Sequence, residues 1–146
     1  MNSPIANTSK AATPKRIGFL VTGSEITTGE ISNTNSKIMA QRLQEHNISI
    51  GEHLICDDTY VNLHASLMFL LKRHEAIIIT GGLGPTPDDR SKELVAKISK
   101  QELVFNASVW ENIVKRLATR NLPITENNKN QAFFPMTAHI IANNNG

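Results

Sequence analysis

Two adjacent aspartates at the end of a glycine-rich loop are the residues of this sequence best suited to chemistry. The stretch TGGLGPTPDD follows the β-branched run AIIIT and ends in Asp88 and Asp89. Glycines let the backbone come close to a ligand, and the amides of such a loop can bind phosphate oxygens. Paired carboxylates would repel phosphate unless a cation lies between them. The same pattern also fits a tight loop in which Asp88 or Asp89 caps the next helix.

The loop does not match the common nucleotide-binding motifs. No G-x-x-x-x-G-K-[ST] occurs in the chain, and GLGPTP has Pro87 where the dinucleotide fingerprint has its third glycine. What remains is a run of amide donors at residues 81–84, with Pro85 and Pro87 stiffening the turn. The pattern indicates close backbone approach to a ligand without assigning it to either motif.

Two other polar segments could complete a site with this loop. The segment GSEITTGEISNTN would be an ordinary turn if it stood alone, and the acidic pair of CDD follows another predicted strand. Together the three loops offer several oxygen ligands, which suit a hard cation such as Mg²⁺ or Mn²⁺. The further candidates are Ser24, Glu25, Thr27, Thr28, Asn33, Asn35, Asp57 and Asp58.

Alternating strands and helices are predicted to position these loops. Apolar runs and alternation predict strands at residues 16–22, 48–56, 76–80 and 138–143. Apolar spacing predicts helices at 33–47 and 60–74, a third around 94–98 and a fourth around 109–117. Asn33 or Thr34 is the predicted N-cap of the first helix, Asn47 its end, and Trp110 a core residue of the fourth.

This alternation predicts an α/β fold with a mostly parallel sheet and helices on both faces. In such sheets, ligands bind at the carboxyl ends of the strands. We therefore expect loops 23–29, 57–59 and 81–89 to lie at one edge of the sheet.

Composition limits the classes of protein that fit. The 146 residues suit one domain, and we expect residues 1–15, rich in Ser, Thr, Asn, Ala and Pro, to be a mobile tail. A net charge of +2 without a basic stripe gives no indication of a nucleic-acid partner, and no apolar run reaches membrane-spanning length. A single cysteine, Cys56, favours a reducing, cytoplasmic setting. The five histidines are scattered, which predicts surface or helix-end positions.

The quoted segments, together with PITENNKNQAFFP, resemble a known family. They are similar to the MoaB/Mog-type domain found at the amino end of the competence/damage-inducible protein CinA and in its stand-alone relatives. The resemblance covers about residues 15–146, and TGGLGPTPDD is its most specific signature. It implies a three-layer α/β/α fold with a mostly parallel sheet and a cleft that binds molybdopterin in the wider family.

In the CinA-like branch, the resemblance implies metal-dependent ADP-ribose pyrophosphatase activity. It implies a divalent cation such as Mg²⁺ and a catalytic acidic pair, Asp88 and Asp89, which would bind the metal with Asp58 or Glu25. We also expect a small-molecule nucleotide or pterin ligand and a homo-oligomer. The implied ligand-binding residues are Gly23, Glu25, Asn33, Asn35, Gly81, Gly82, Gly84, Pro85 and Thr86.

The chain departs from the family pattern at three places. Ser24 replaces the aspartate of a G-D-E segment, and Arg90 and Ser91 stand where the family has an apolar residue and a threonine. The family also continues through N-x-x-G-T-A-P-G, so we expect the domain at residues 16–146 to lack a C-terminal strand and helix. Three hypotheses follow: an ADP-ribose pyrophosphatase, a molybdopterin-binding or adenylylating protein, and a non-catalytic binding module.

Overall fold

The computed structural model describes residues 16–29, 33–86 and 88–143. The expected tail at residues 1–15, the stiffening role of Pro87 and the end of the chain beyond residue 143 lie outside these ranges.

A three-stranded parallel sheet carries the fold. Strands β1 (Arg16–Thr22), β2 (Ser49–Cys56) and β3 (Ile77–Thr80) pair in the order β2-β1-β3. β1 is central, which explains its continuous apolar sequence: both of its edges are hydrogen-bonded, and six of its seven residues are buried. The predicted parallel sheet is confirmed, so the loops after β1, β2 and β3 leave from the same edge.

Helices lie between the strands. They are α1 (Ser24–Thr27), α2 (Thr34–Glu45), α3 (Tyr60–Leu71), α4 (Ser91–Ile98), α5 (Ala107–Thr119) and α6 (Glu126–Lys129), which a 3-10 turn at Asn130–Ala132 follows. α2 begins where predicted, because the side chain of Asn33 accepts hydrogen bonds from the Ser36 amide (3.2 Å) and hydroxyl (2.6 Å). It ends before Asn47, whose φ of 58° is left-handed.

The core forms where α3 and α4 cover the sheet. The predicted apolar face of α3 contributes Leu63, Leu67 and Leu70, which cluster with Leu20 of β1 and Leu94 of α4. All five side chains are at most 4% exposed. This cluster fixes α3 and α4 against the sheet, so the first turns of both helices are held close to its carboxyl edge.

Two predictions for the last third of the chain are wrong. Within the described residues no strand forms at 138–143, where Ile141 is 82% exposed. Instead β4 (Leu103–Phe105) and β5 (Phe133–Pro135) form a short antiparallel pair. A short apolar run does not become a strand without a partner, and three-residue strands carry too little pattern to be recognised. Trp110 is only half-buried, because α5 has no fully buried residue.

One histidine is buried at a helix end, one of the two kinds of position predicted for the histidines. His74 follows the end of α3 as expected, but its side chain is 2% exposed. Its Nδ1 lies 3.2 Å from the carbonyl oxygen of Leu70, and its Nε2 lies 2.5 Å from Oε2 of Glu52. The pair joins the end of α3 to β2.

None of the helices in the described ranges is both long and apolar enough to cross a membrane.

Candidate functional site

The three polar loops converge on one cavity at the carboxyl edge of the sheet. It has a volume of about 820 Å³, within the usual range for small-molecule sites. Nine of the candidate residues line it: Gly23, Ser24 and Glu25 after β1, Asp58 after β2, and Gly81, Gly82, Thr86, Asp88 and Asp89 after β3. The expected convergence of the loops is therefore confirmed.

The glycine loop has a conformation that other residues would not adopt easily. Gly81 and Gly82 have φ angles of 92° and 61°. A Cβ atom at Gly81 would collide with the carbonyl group of Thr22. The backbone of β3 thus turns directly against the end of β1, which brings the loop amides to the cavity.

The buried Ser91 joins this loop to the start of α4 by hydrogen bonds. Its hydroxyl donates to the carbonyl oxygen of Gly81 (2.9 Å), and its amide donates to that of Gly82 (3.3 Å). Ser91 is 2% exposed. The serine that departs from the family pattern therefore still has a hydroxyl that anchors the loop.

The carboxylate of Asp89 stabilises the loop from within rather than capping the helix. Its Oδ2 accepts hydrogen bonds from the Thr86 amide (2.8 Å) and hydroxyl (2.5 Å). Partial burial alone would raise the pKa of Asp89, but these bonds, the Gly84 amide and the charge of Lys92 lower the pKa below its usual value. The predicted capping role is wrong, because α4 has Arg90 at its N-cap position and no side-chain cap.

Asp58 ties the second loop to the first. Its Oδ1 accepts from the hydroxyl of Thr22 (2.7 Å), and its Oδ2 accepts from the amide (3.0 Å) and hydroxyl (3.3 Å) of Ser24. The chain thus uses Ser24, where the family pattern has an aspartate, as a donor to a carboxylate. Asp58 holds together two walls of the cavity.

The side chain of Asp57 stabilises the turn that follows it and does not line the cavity. Its carboxylate accepts from the hydroxyl (2.6 Å) and amide (3.0 Å) of Thr59 and from the amide group of Asn62. The hydrogen bonds from Thr59, followed by that from Asn62, lower the pKa of Asp57. Of the CDD acidic pair, only Asp58 reaches the ligand cavity.

Glu25 and Asp88 are the cavity carboxylates left for a ligand. Both side chains are exposed, and neither carboxylate has a hydrogen bond or ion pair with a described residue. The carboxylate of Glu25 lies over Gly23, where a Cβ atom would be 2.8 Å from Oε1. Asp88 stands on the loop after β3. Two different loops thus each present one carboxylate to the same space.

The donor set fits a shared cation better than a closed metal cage. Among the described residues no group of three or more His, Cys, Asp or Glu side chains is arranged to hold a metal. Mg²⁺, however, is commonly bound by one or two carboxylates together with the phosphates of a ligand. Glu25 and Asp88 fit that arrangement, whereas Asp58 and Asp89 already accept several hydrogen bonds. The predicted metal-binding roles remain predictions.

The remaining predicted ligand residues lie beside the main cavity. Asn33 and Asn35 line an adjoining cavity of about 230 Å³, which shares Glu25 and Gly81 with the larger one. The Oδ1 atom of Asn33 is occupied by its capping role, while Asn35 is exposed. Gly84 and the half-buried Pro85 shape the loop without lining either cavity.

Several lining residues were not predicted from the sequence. Thr22 ends β1, Tyr60 and Val61 begin α3, and Arg90 follows the acidic pair. The sequence signal that could have identified them was their position at the ends of parallel strands and in the first turns of helices.

Comparisons with known proteins agree with this α/β fold. Residues 18–140 match the family described as "Probable molybdopterin binding domain". The chain belongs to this family. The resemblance to its CinA-type and MoaB/Mog members is confirmed by the relatives and structures that follow.

Two relatives are named as competence-damage inducible proteins. The chain is 40% identical over 127 residues to the one of Halalkalibacterium halodurans, covering 87% of this chain and 30% of the relative. It is 38% identical over 128 residues to the one of Alkaliphilus metalliredigens, covering 88% and 31%. The chain therefore spans about a third of the length of these relatives.

Solved structures show the same fold. The crystal structure of the protein CinA from Thermoplasma acidophilum matches with a TM-score of 0.75 at 23% identity, covering 90% of this chain and 77% of that chain. The molybdopterin biosynthesis enzyme MoaB of Thermus thermophilus matches with a TM-score of 0.54 at 19% identity, covering 75% and 67%.

Proposed function

We propose that this domain hydrolyses the pyrophosphate bond of ADP-ribose or a similar nucleotide diphosphate. The observation that supports it is the pairing of a glycine loop with two unengaged carboxylates, Glu25 and Asp88, on one cavity of about 820 Å³. Loop amides suit phosphate oxygens, and the carboxylates suit the cation that accompanies a diphosphate.

In this reaction one water molecule is consumed. Its oxygen forms a bond to one phosphorus atom, the bridging P–O bond breaks, and ADP-ribose yields AMP and ribose 5-phosphate. A bound Mg²⁺ supplies charge neutralisation and lowers the pKa of a coordinated water. Asp88 and Glu25 would hold the cation together with the phosphates.

The other two predicted acids have a positioning role in this proposal. Asp89 keeps the glycine loop in shape through Thr86, and Asp58 keeps the first loop in place through Thr22 and Ser24. Both act on the geometry of the cavity rather than on the reacting atoms. Because the chain spans about a third of its relatives, the activity of the longer proteins is likewise a proposal here.

Molybdopterin binding is the second candidate function. The family match and the likeness to MoaB favour it, and a pterin carrying a phosphate would use the same loop amides. Titration with molybdopterin and with ADP-ribose separates the two candidates by affinity. If ADP-ribose binds but is never hydrolysed with any divalent metal, the non-catalytic binding module remains as the third.

The test is to measure AMP released from ADP-ribose with Mg²⁺ and with EDTA. We expect Mg²⁺-dependent release that falls at least about 100-fold in Asp88→Asn, because a cation ligand is lost. Glu111→Gln is the matched control, an exposed acid on α5 away from the cavity. Equal release with EDTA, or full activity in Asp88→Asn, would reject the role given to Asp88.

A further inference from the structure

We propose that Arg90 binds a phosphoryl group of the ligand. Arg90 is the one cationic residue among the described residues that line the cavity, which also has four carboxylates. The inference rests on the proposed diphosphate site but does not require hydrolysis.

The backbone at Arg90 is held in place from both sides. On one side, Asp89 is bonded to Thr86 of the glycine loop. On the other, buried Ser91 is bonded to Gly81 and Gly82. The backbone of Arg90 is therefore fixed in the cavity wall, directly beside the loop whose amides are proposed to bind phosphate. Such preorganisation lowers the cost of ordering a long side chain on binding.

The neighbouring lysines are directed elsewhere. The Nζ atom of Lys92 contacts the carbonyl oxygen of Asn130, and that of Lys97 lies 5.1 Å from the centre of the Tyr60 ring. Neither lysine lines the cavity. Of the lysines and arginines that the structure describes, only Arg90 therefore lines the cavity.

Charge explains why this cation matters. Asp58 and Asp89 accept hydrogen bonds within the loops, and together with Glu25 and Asp88 they place four carboxylates on one cavity. One divalent cation does not balance four carboxylates and a diphosphate. A guanidinium group can donate two parallel hydrogen bonds to a phosphoryl group, which adds both charge and orientation.

The experiment measures binding of inorganic pyrophosphate and of ADP by calorimetry in the presence of Mg²⁺. We expect Arg90→Gln to bind both about 10- to 100-fold more weakly than the wild type, as is typical for the loss of a charged hydrogen bond. Arg90→Lys should recover part of the affinity, because lysine restores the positive charge but cannot donate the two parallel hydrogen bonds of a guanidinium group. Arg42→Gln is the matched control, because Arg42 pairs with Glu45 on exposed α2.

The outcomes separate this inference from the proposed function. Unchanged pyrophosphate affinity in Arg90→Gln, or no pyrophosphate binding by the wild type, would overturn the role of Arg90. Pyrophosphate binding that depends on Arg90, without any AMP release from ADP-ribose, would support Arg90 and reject the hydrolase. Thermal unfolding of each variant and the partial recovery in Arg90→Lys show whether lost binding reflects lost folding.

Discussion

Replacing Gly81 with alanine should disable the glycine loop, and the structure allows the cost to be divided into two parts. The first part is conformational, because a side chain at a φ of 92° costs about 1–2 kcal/mol. The second part is steric, because the new Cβ would collide with the carbonyl group of Thr22. Forcing an atom into a packed position costs about 1–3 kcal/mol. We therefore expect Gly81→Ala to lose about 2–5 kcal/mol of unfolding free energy, the sum of these two costs.

Gly29→Ala is the control that isolates the steric part. Gly29 has a similar φ of 79°, but no atom of the described residues, its chain neighbours aside, lies within 4 Å of the position of its Cβ. It should lose only the conformational part, about 1–2 kcal/mol. Urea unfolding of both variants and the wild type measures the difference, and ADP-ribose titration shows whether the loop still binds. The contrary result is that the two variants lose unfolding free energies that agree within about 0.5 kcal/mol, which is less than the expected overpacking cost. That result would mean that the contact between the loop and Thr22 does not add a steric cost.

Three further predictions concern the carboxylates. Because the folded-state pKa of Asp89 lies below its usual value of 3.8, its ionised form stabilises the fold above about pH 4, and this is lost as the pH falls through the lowered pKa. Asp89→Asn should thus be about 1–2 kcal/mol less stable than the wild type at pH 7, and this difference in unfolding free energy should shrink as the pH is lowered from about 4 toward 2 in urea unfolding. A difference that does not change with pH would contradict the stabilising role of the ionised Asp89. Asp58→Asn should weaken ADP-ribose binding in calorimetry while Asp57→Asn does not, since only Asp58 joins two cavity walls; equal effects would refute this. Glu52→Ala should lower the unfolding free energy by about 1–3 kcal/mol, because it leaves buried His74 without its partner, and a change too small to measure would mean that the pair does not stabilise the fold.

The sequence was sufficient to predict the frame of the site. A continuous apolar run predicted the strand β1, and the alternation of strands with helices predicted that the loops after β1, β2 and β3 would meet at one edge. Asn33 and Asn47 marked the ends of α2, because capping and left-handed positions favour particular residues over a short range.

Sequence could not assign the individual carboxylates. Asp57, Asp58, Asp88 and Asp89 are two similar pairs in the sequence, but in the structure only Asp88 has an unengaged carboxylate that faces the cavity. Their roles depend on which amides and hydroxyls the folded loops bring near, and a linear pattern does not contain that information. The burial of His74 was missed for the same reason, because its partner Glu52 is on a different element.

Phosphorus NMR of ADP-ribose incubated with the protein and Mg²⁺ tests the central claim most directly. We predict that the two diphosphate signals are replaced by two monophosphate signals, those of AMP and ribose 5-phosphate, and that Asp88→Asn leaves the diphosphate intact over the same period. Diphosphate signals that stay unchanged while calorimetry shows ADP-ribose bound with Mg²⁺ would contradict the claim and identify the cavity as a binding site without hydrolysis.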